Sequence, residues 1–444
     1  MQQSAPLVAP PRSSLTPWPA LALSFGLALG ARQAAAQLAP EGAPIDDSDY
    51  TIDFYTGPIL DSSRNTGLAG SYSTLSDGVG GYSVNPASVA LRVPWSDSWF
   101  DWEVDGSITL PSTLRNSDFD NNGDTSVGND AALYLTGGAG FQFGELGVGL
   151  SFSVNSYETA SVDGDGLAQG LDVSFVNVNL VAGCVLEEGQ LALGVGLGGQ
   201  SVQLARILPD DSQRDLASVS GTTLQAGAIW APTRISVRAG IALRVTPGDD
   251  SANPDGVAPD TDGNYRVDNF VLPRRISVPA ELQVAFATQL FRRLNFGWHN
   301  PRRPRREPID PAEANAYRWL PRQRVLLSSA LKITFPSHDG VGADSFLLQR
   351  VERSGEKLSI SPRVGVETEP IIDWLIVRAG SYYEPTRFPG SSARVHATAG
   401  ADLHIPIVWS LFGLLDDDTS FRVGGAVDGA ERYFGWSVSA GLWR

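Results

Sequence analysis

Four histidines, one cysteine and a scatter of acidic loops are what this 444-residue chain offers to catalysis. His396 and His404 fall on one face of an alternating segment, but eight residues at strand rise separate them by about 27 Å, too far to share a metal. His299 and His338 stand elsewhere, and neither H-E-x-x-H nor G-x-S-x-G occurs. Cys184 has no second cysteine to pair with, which excludes a disulfide-stapled scaffold. No enzyme is expected. One loop, Asp118-Phe119-Asp120-Asn121-Asn122-Gly123-Asp124, reads D-x-D-x-N-G-D, the first half of a calcium loop. Asp118, Asp120, Asn122 and Asp124 would supply the ligands, although Asn129 stands where a bidentate Glu is needed. Such Asp/Asn/Gly turns also arise for local reasons. Calcium is the single cofactor the pattern could hold.

Arginines form the other constellation. Arg234, Arg238 and Arg244 share the polar face of one alternating segment, and Arg363 and Arg394 lie on the polar faces of two others. A buried anionic head group must be paired with a cation, so Arg234, Arg238, Arg363 and Arg394 are candidate ligand contacts. Internal ion pairs with Asp402, Asp428 or Glu367 are the alternative use of the same charges.

The elements that carry these side chains are strands. Leu146, Val148, Leu150, Phe152 and Val154 alternate with Gly147, Gly149, Ser151, Ser153 and Asn155, and the closing segment sets Phe434, Trp436, Val438, Ala440 and Leu442 against Tyr433, Gly435, Ser437, Ser439 and Gly441. Period two makes one face apolar and the other polar. Fourteen such segments run near 99–110, 131–143, 145–155, 171–184, 189–206, 219–230, 233–246, 276–290, 323–335, 358–369, 372–384, 393–409, 418–429 and 432–443. The Arg-rich stretch 291–322 leaves room for 12 to 16. Most run ten or more residues, the length of a tilted membrane strand rather than of a soluble one. An even number of long dyad-repeat strands is the mark of an outer-membrane barrel. Short turns at 144–145, 187–189 and 231–232 alternate with long polar loops at 111–130, 156–170 and 247–275, as expected of its two ends. The polar faces are rich in Gly, Ser and Ala, and only Lys332 and Lys357 are lysines. A soluble sandwich would need solvent faces of Lys, Glu and Thr. The 47 glycines exceed the roughly 31 of average usage. Aromatics near segment ends, including Trp99, Trp230, Tyr382, Tyr383 and Tyr433, suit interface girdles. The expected fold class is all-β: a transmembrane antiparallel barrel of about fourteen strands over residues 99–444.

Residues 1–36 read as a cleaved signal peptide, with an apolar core at Ala20–Gly30 too short to span a bilayer and an Ala34-Ala35-Ala36 cleavage pattern. Removing Arg12 and Arg32 deepens the formal charge from −16 to −18. That acidity argues against a nucleic-acid partner. The expected location is the outer membrane of a bacterial cell, with its lipid as one partner.

Residues 37–98 do not alternate. Their length suits a plug inside the barrel; an extended periplasmic tail is the alternative. In the run GLAGSYSTLSDGVGGYSVNPASVA, Pro86 fixes its own φ and drives Asn85 out of the helical region, which makes a sharp turn. This run resembles the hatch signature of the FadL-like superfamily of outer-membrane transporters for long-chain fatty acids and other hydrophobic compounds. The stretch PRVGVETEPIIDWLIVRAGSYYEPTRFPG, followed by ARVHATAGADL, resembles that family's C-terminal strands. The resemblance implies a monomeric fourteen-stranded barrel with an N-terminal hatch, passing hydrophobic small molecules, with Asn85, Pro86 and Ala87 forming the hatch turn. The sequence departs from the best-known members in having no evident Lys for a ligand carboxylate. Relatives of the superfamily also act as PorV-like secretion accessories, so a non-transporting scaffold is the second reading.

Overall fold

The computed structural model describes residues 38–76, 78–91, 99–112, 114, 116–162, 168–186, 190–208, 212–232, 235–246, 257–267, 269–290, 325–371, 374–406 and 420–443. Segments 1–36 and 291–322 and Arg234 lie outside them. Fourteen strands close into one antiparallel barrel. In chain order they are β1 (Phe100–Leu110), β2 (Val127–Phe143), β3 (Leu146–Val162), β4 (Ala168–Leu186), β5 (Leu191–Ile207), β6 (Gln213–Trp230), β7 (Val237–Val245), β8 (Glu281–Leu290), β9 (Val325–Thr334), β10 (Ser359–Ile371), β11 (Leu375–Glu384), β12 (Arg394–Pro406), β13 (Ser420–Ala430) and β14 (Tyr433–Trp443). β14 pairs back onto β1, which removes every free edge. Each strand overlaps one alternating segment of the sequence, though the start of 276–290 leaves the barrel.

The apolar set of each strand faces outward. Leu146 is 59% and Val195 61% exposed, while their neighbours Gly147 and Gly194 are buried. A continuous apolar exterior around a closed sheet is stable only against acyl chains, where no backbone group is left unpaired. The barrel is therefore a transmembrane one.

Strands β3 to β6 run 17 to 19 residues, well past the 9–11 a membrane requires. Their extensions pair as far as Val162 with Ala168 and Ile207 with Gln213. The stretch 156–170, expected as a long loop, is thus mostly hairpin. Beyond the membrane neither face must be apolar, so alternation fades while the backbone ladder persists.

The chain enters at the loop end. Thr51–Asp53 forms the middle of a three-stranded parallel sheet with Arg275–Ser277 and Gly340–Val341. Around it Tyr50, Ile52, Phe270, Leu272, Phe346 and Tyr157 pack into an apolar cap. From there the chain descends the lumen through a short helix, α1 (Ser63–Gly67), against β12 and β13, to a 3₁₀ turn at Pro86–Ala90 against β4, β5 and β6. Residues 38–91 and the barrel form one compact unit.

Two aromatics expected in the girdle are elsewhere. Trp99, Trp230 and Tyr383 are exposed on the exterior. Tyr382 and Tyr433 are buried inside, their rings 4.1 and 5.4 Å from His396. Nearness to a strand end does not choose the face; strand parity does.

Candidate functional site

The Asn-Pro-Ala turn is built by its own side chain. Asn85 is extended at φ −152°, and its Oδ1 accepts from the Ala87 N–H at 3.1 Å, capping the 3₁₀ turn that Pro86 begins. Its Nδ2 donates to the Ser73 carbonyl at 3.1 Å and reaches the Ala228 and Ile241 carbonyls on β6 and β7 at 3.4 Å. One amide therefore ties the turn to the inner segment and to two barrel strands. The turn lies in a trough of glycines. Gly147, Gly183, Gly194 and Gly227 are successive cross-strand partners on β3 to β6. A Cβ at Gly147 would strike the Val89 carbonyl, at Gly194 the Pro86–Ala87 peptide, and at Gly227 the Asn85 amide. The glycine excess thus has a local use: it lets a backbone segment lie flat against the wall.

Above the turn lies a cavity of about 200 Å³. Ser83, Val84 and Pro86 belong to the turn side, Phe54, Tyr157 and Phe175 to the cap side, and β2 to β10 supply the wall. The wall is markedly polar: Asn155, Asn177, Gln200 and Gln225 on one part, Arg244, Glu281, Lys332 and Arg363 on another. Glu281 holds both Arg244, at 2.7 Å, and Lys332.

Of the arginines expected to meet a ligand, Arg363 reaches the cavity; its Nε donates to Ser361 and its guanidinium lies 5.4 Å from the Tyr382 ring centre. Arg238 is buried and reaches the Thr74 carbonyl of the inner segment at 3.5 Å. Arg394 makes a two-pronged pair with Glu384 at 2.8 and 3.0 Å and donates to the Asp118 carbonyl, so its charge is used within the wall. Lys332, Glu281, Asn155 and Asn177 were not singled out by the sequence. Their signal was available only as inward parity; that they share one cavity follows from which strands are neighbours.

The opposite wall carries an ion-pair chain. Arg64 of the inner segment pairs with Glu367, Glu367 with Arg378, Arg378 with Asp402 and Asp402 with Arg422. Farther toward the loops, His396 sits between Glu384, at 2.5 Å, and Asp428, at 2.8 Å. These links join α1 to β10, β11, β12 and β13.

Three of the four expected calcium ligands, Asp118, Asp120 and Asn122, make local side-chain hydrogen bonds. Asp118 accepts from the Gly123 N–H and lies within 4 Å of Arg394 and Arg432. Asp120 accepts from the Asn122 N–H, and Asn122 accepts from the Asp124 N–H while donating to Asp344. Among the described residues no three His, Cys, Asp or Glu side chains converge as a metal site. The loop instead gathers carboxylates in the cap. Burial, then the charges of Asp344 and Asp118, push the Asp120 carboxyl well up. Burial, then Asp344, push Glu352 up to about 7. A raised carboxyl favours the folded cap while protonated. That contribution is complete below the unfolded value near 4.5 and is lost as pH climbs through about 7. Hydrogen exchange across residues 343–352, corrected for its intrinsic pH dependence, is expected to speed up between about pH 4.5 and 7. Glu352→Gln is expected to flatten that response, and an unchanged slope would refute the assignment.

With this geometry in place, comparison with solved structures is informative. A FadL homologue of Pseudomonas aeruginosa superposes with a TM-score of 0.52 at 12% identity, covering 88% of this chain and 99% of that one. The fold is shared. The P. putida toluene transporter TodX gives a TM-score of 0.51 at 12% identity, covering 87% and 99%. No family model and no curated protein matches the sequence. At this identity the likeness establishes the fold alone and leaves the site to be read from its own residues.

Proposed function

We propose that the chain is an outer-membrane channel through which small hydrophobic or amphiphilic molecules pass down their gradient, with residues 38–91 as its hatch. The observation that carries this reading is the cavity itself: a ligand-sized space inside a transmembrane barrel, floored by a turn that the Asn85 and Gln142 side-chain amides hold in place. A toluene transporter and a FadL homologue of the same fold support it. Export by the leader at 1–36 and a monomeric state belong to the same proposal. Proteoliposome flux of a hydrophobic fluorophore tests it. The wild-type chain is expected to exceed empty liposomes. Asn85→Ala, which removes the cap and the bonds to Ser73, β6 and β7, is expected to raise flux several-fold, in line with the roughly 0.5–2 kcal/mol of a lost cap. Wild-type flux at the level of empty liposomes would end the channel reading and favour a scaffold.

A further inference from the structure

One buried histidine is held by carboxylates on both sides. His396 on β12 has no solvent access, and its ring nitrogens meet Glu384 of β11 at 2.5 Å and Asp428 of β13 at 2.8 Å. An ionised carboxylate only accepts, and a neutral imidazole has a single N–H to give. Glu384 is ionised, since Arg394 grips both of its oxygens. The three groups therefore hold one proton more than a neutral ring and two free carboxylates would. Tyr382 completes the arrangement. Its hydroxyl donates to the other oxygen of Asp428 at 2.7 Å, and its ring stacks on the imidazole.

The partners of His396 also seat the inner segment. The Tyr382 ring packs with Ile59 and Ala69 in one buried cluster. Gly57 lies so close to Glu384 that a Cβ there would overlap its Oε1. Three points of the segment thus rest on side chains that one proton positions. The other groups facing this place are Tyr433 of β14 against the imidazole, Arg394 with Asp118 beyond it, Arg363 over Tyr382, and Tyr55 near Glu384. Arginines keep their charge, carboxylates ordinarily titrate near 4 and tyrosines near 10. Histidine is the one whose ordinary range falls between about pH 5 and 8.

We infer that the proton on His396 is a clamp: while it is present, Glu384 and Tyr382 hold residues 57–69 against the β11–β13 wall, and when it leaves, the segment loosens and passage rises. This inference gives the regulation of the channel proposed above and rests on that reading. The sign follows from the hydrogen bonds. Losing the proton turns one donor into a lone pair facing a carboxylate, so the grip is complete in acid and is lost as pH rises.

The test follows hydrogen exchange at residues 57–69, corrected for its intrinsic pH dependence, in the full protein in liposomes. Flux of a pH-insensitive hydrophobic fluorophore is measured beside it, from about pH 5.5 to 9. Exchange and flux are each expected to rise about tenfold, the yield of one charge-assisted hydrogen bond. His396→Gln, which has no proton to lose, is expected to be loose in acid and level across the range. Asp428→Asn keeps the shape and removes one carboxylate, so the rise is expected to move to lower pH. It serves if heat-modifiable mobility shows the glutamine variant unfolded. Wild-type exchange that is level with pH overturns the inference, as does an unaltered rise in a folded variant. Level flux from a working channel overturns the gating whatever the exchange does. Exchange that follows His396 with no flux at any pH keeps the clamp and ends the channel; flux with level exchange keeps the channel and ends the clamp.

Discussion

Arg378→Ala is expected to destabilise the barrel by about 3–5 kcal/mol, measured as denaturant unfolding in detergent micelles. Both partners of Arg378 are side chains with no solvent access, Glu367 at 2.7 Å and Asp402 at 2.7 Å. Removing the guanidinium leaves two carboxylates in a dry wall with Arg64 and Arg422 as their remaining cations. Each carboxylate loses a hydrogen bond from a charged donor, worth about 1.5–3 kcal/mol apiece. Arg378→Met and Asp402→Leu combined are expected to cost less than the sum of the two single replacements, since each removes the bond they share. The double-mutant cycle reads that coupling directly. A loss under 1 kcal/mol for Arg378→Ala would show that water reaches this wall.

Gly194→Val is expected to open the floor of the cavity. The new side chain would meet the backbone of Pro86 and Ala87, atoms that no rotamer change can move aside. Overpacking of this kind costs about 1–3 kcal/mol. Because the barrel ladder is the stronger body, the strain is expected to fall on the turn. At about 1.4 kcal/mol per decade, the released state gains roughly tenfold or more. Bilayer conductance and proteolysis near residues 85–90 are both expected to rise, with the heat-modifiable mobility of the folded barrel retained. Gly199→Val on the same strand is the control, since a Cβ at Gly199 meets nothing within 4 Å. Equal behaviour of the two variants would show that the glycine trough does not seat the turn.

The two results concern different halves of the lumen. On the β10–β13 side, α1 is held by charge, through Arg64 and Glu367. On the β3–β6 side the 3₁₀ turn is held by shape and by bonds from the Asn85 and Gln142 side-chain amides to carbonyls. Charge pairs in a dry wall resist removal, whereas a turn lying on glycines can lift without breaking the barrel. The opening in this molecule is expected on the glycine side.

Much of the architecture was legible because it is written at the scale of neighbouring residues. Leu146 to Asn155 states by itself which side chains face lipid, and fourteen such statements require a closed wall. Pro86 and Asn85 likewise dictate a sharp turn from their own backbone preferences. The site was legible only in part. Arg363 lines the cavity, while Arg394, also inward-facing, is paired with Glu384. Lys332 was passed over as a mere count, yet it stands in the cavity beside Glu281.

Periodicity assigns a residue to the inside or the outside, and the sequence alone determined that much: a transmembrane barrel, and the sharp turn in the segment that precedes it. Height along the barrel axis and angle around it were decided by tertiary structure. Gln225, Arg244 and Glu281 meet because β6, β7 and β8 pair in one particular register, although a long connection separates the last of them from the others. Whether an inward arginine finds a carboxylate, an empty cavity or the inner segment depends on that register and on where the segment lies, and neither is a local property of the chain.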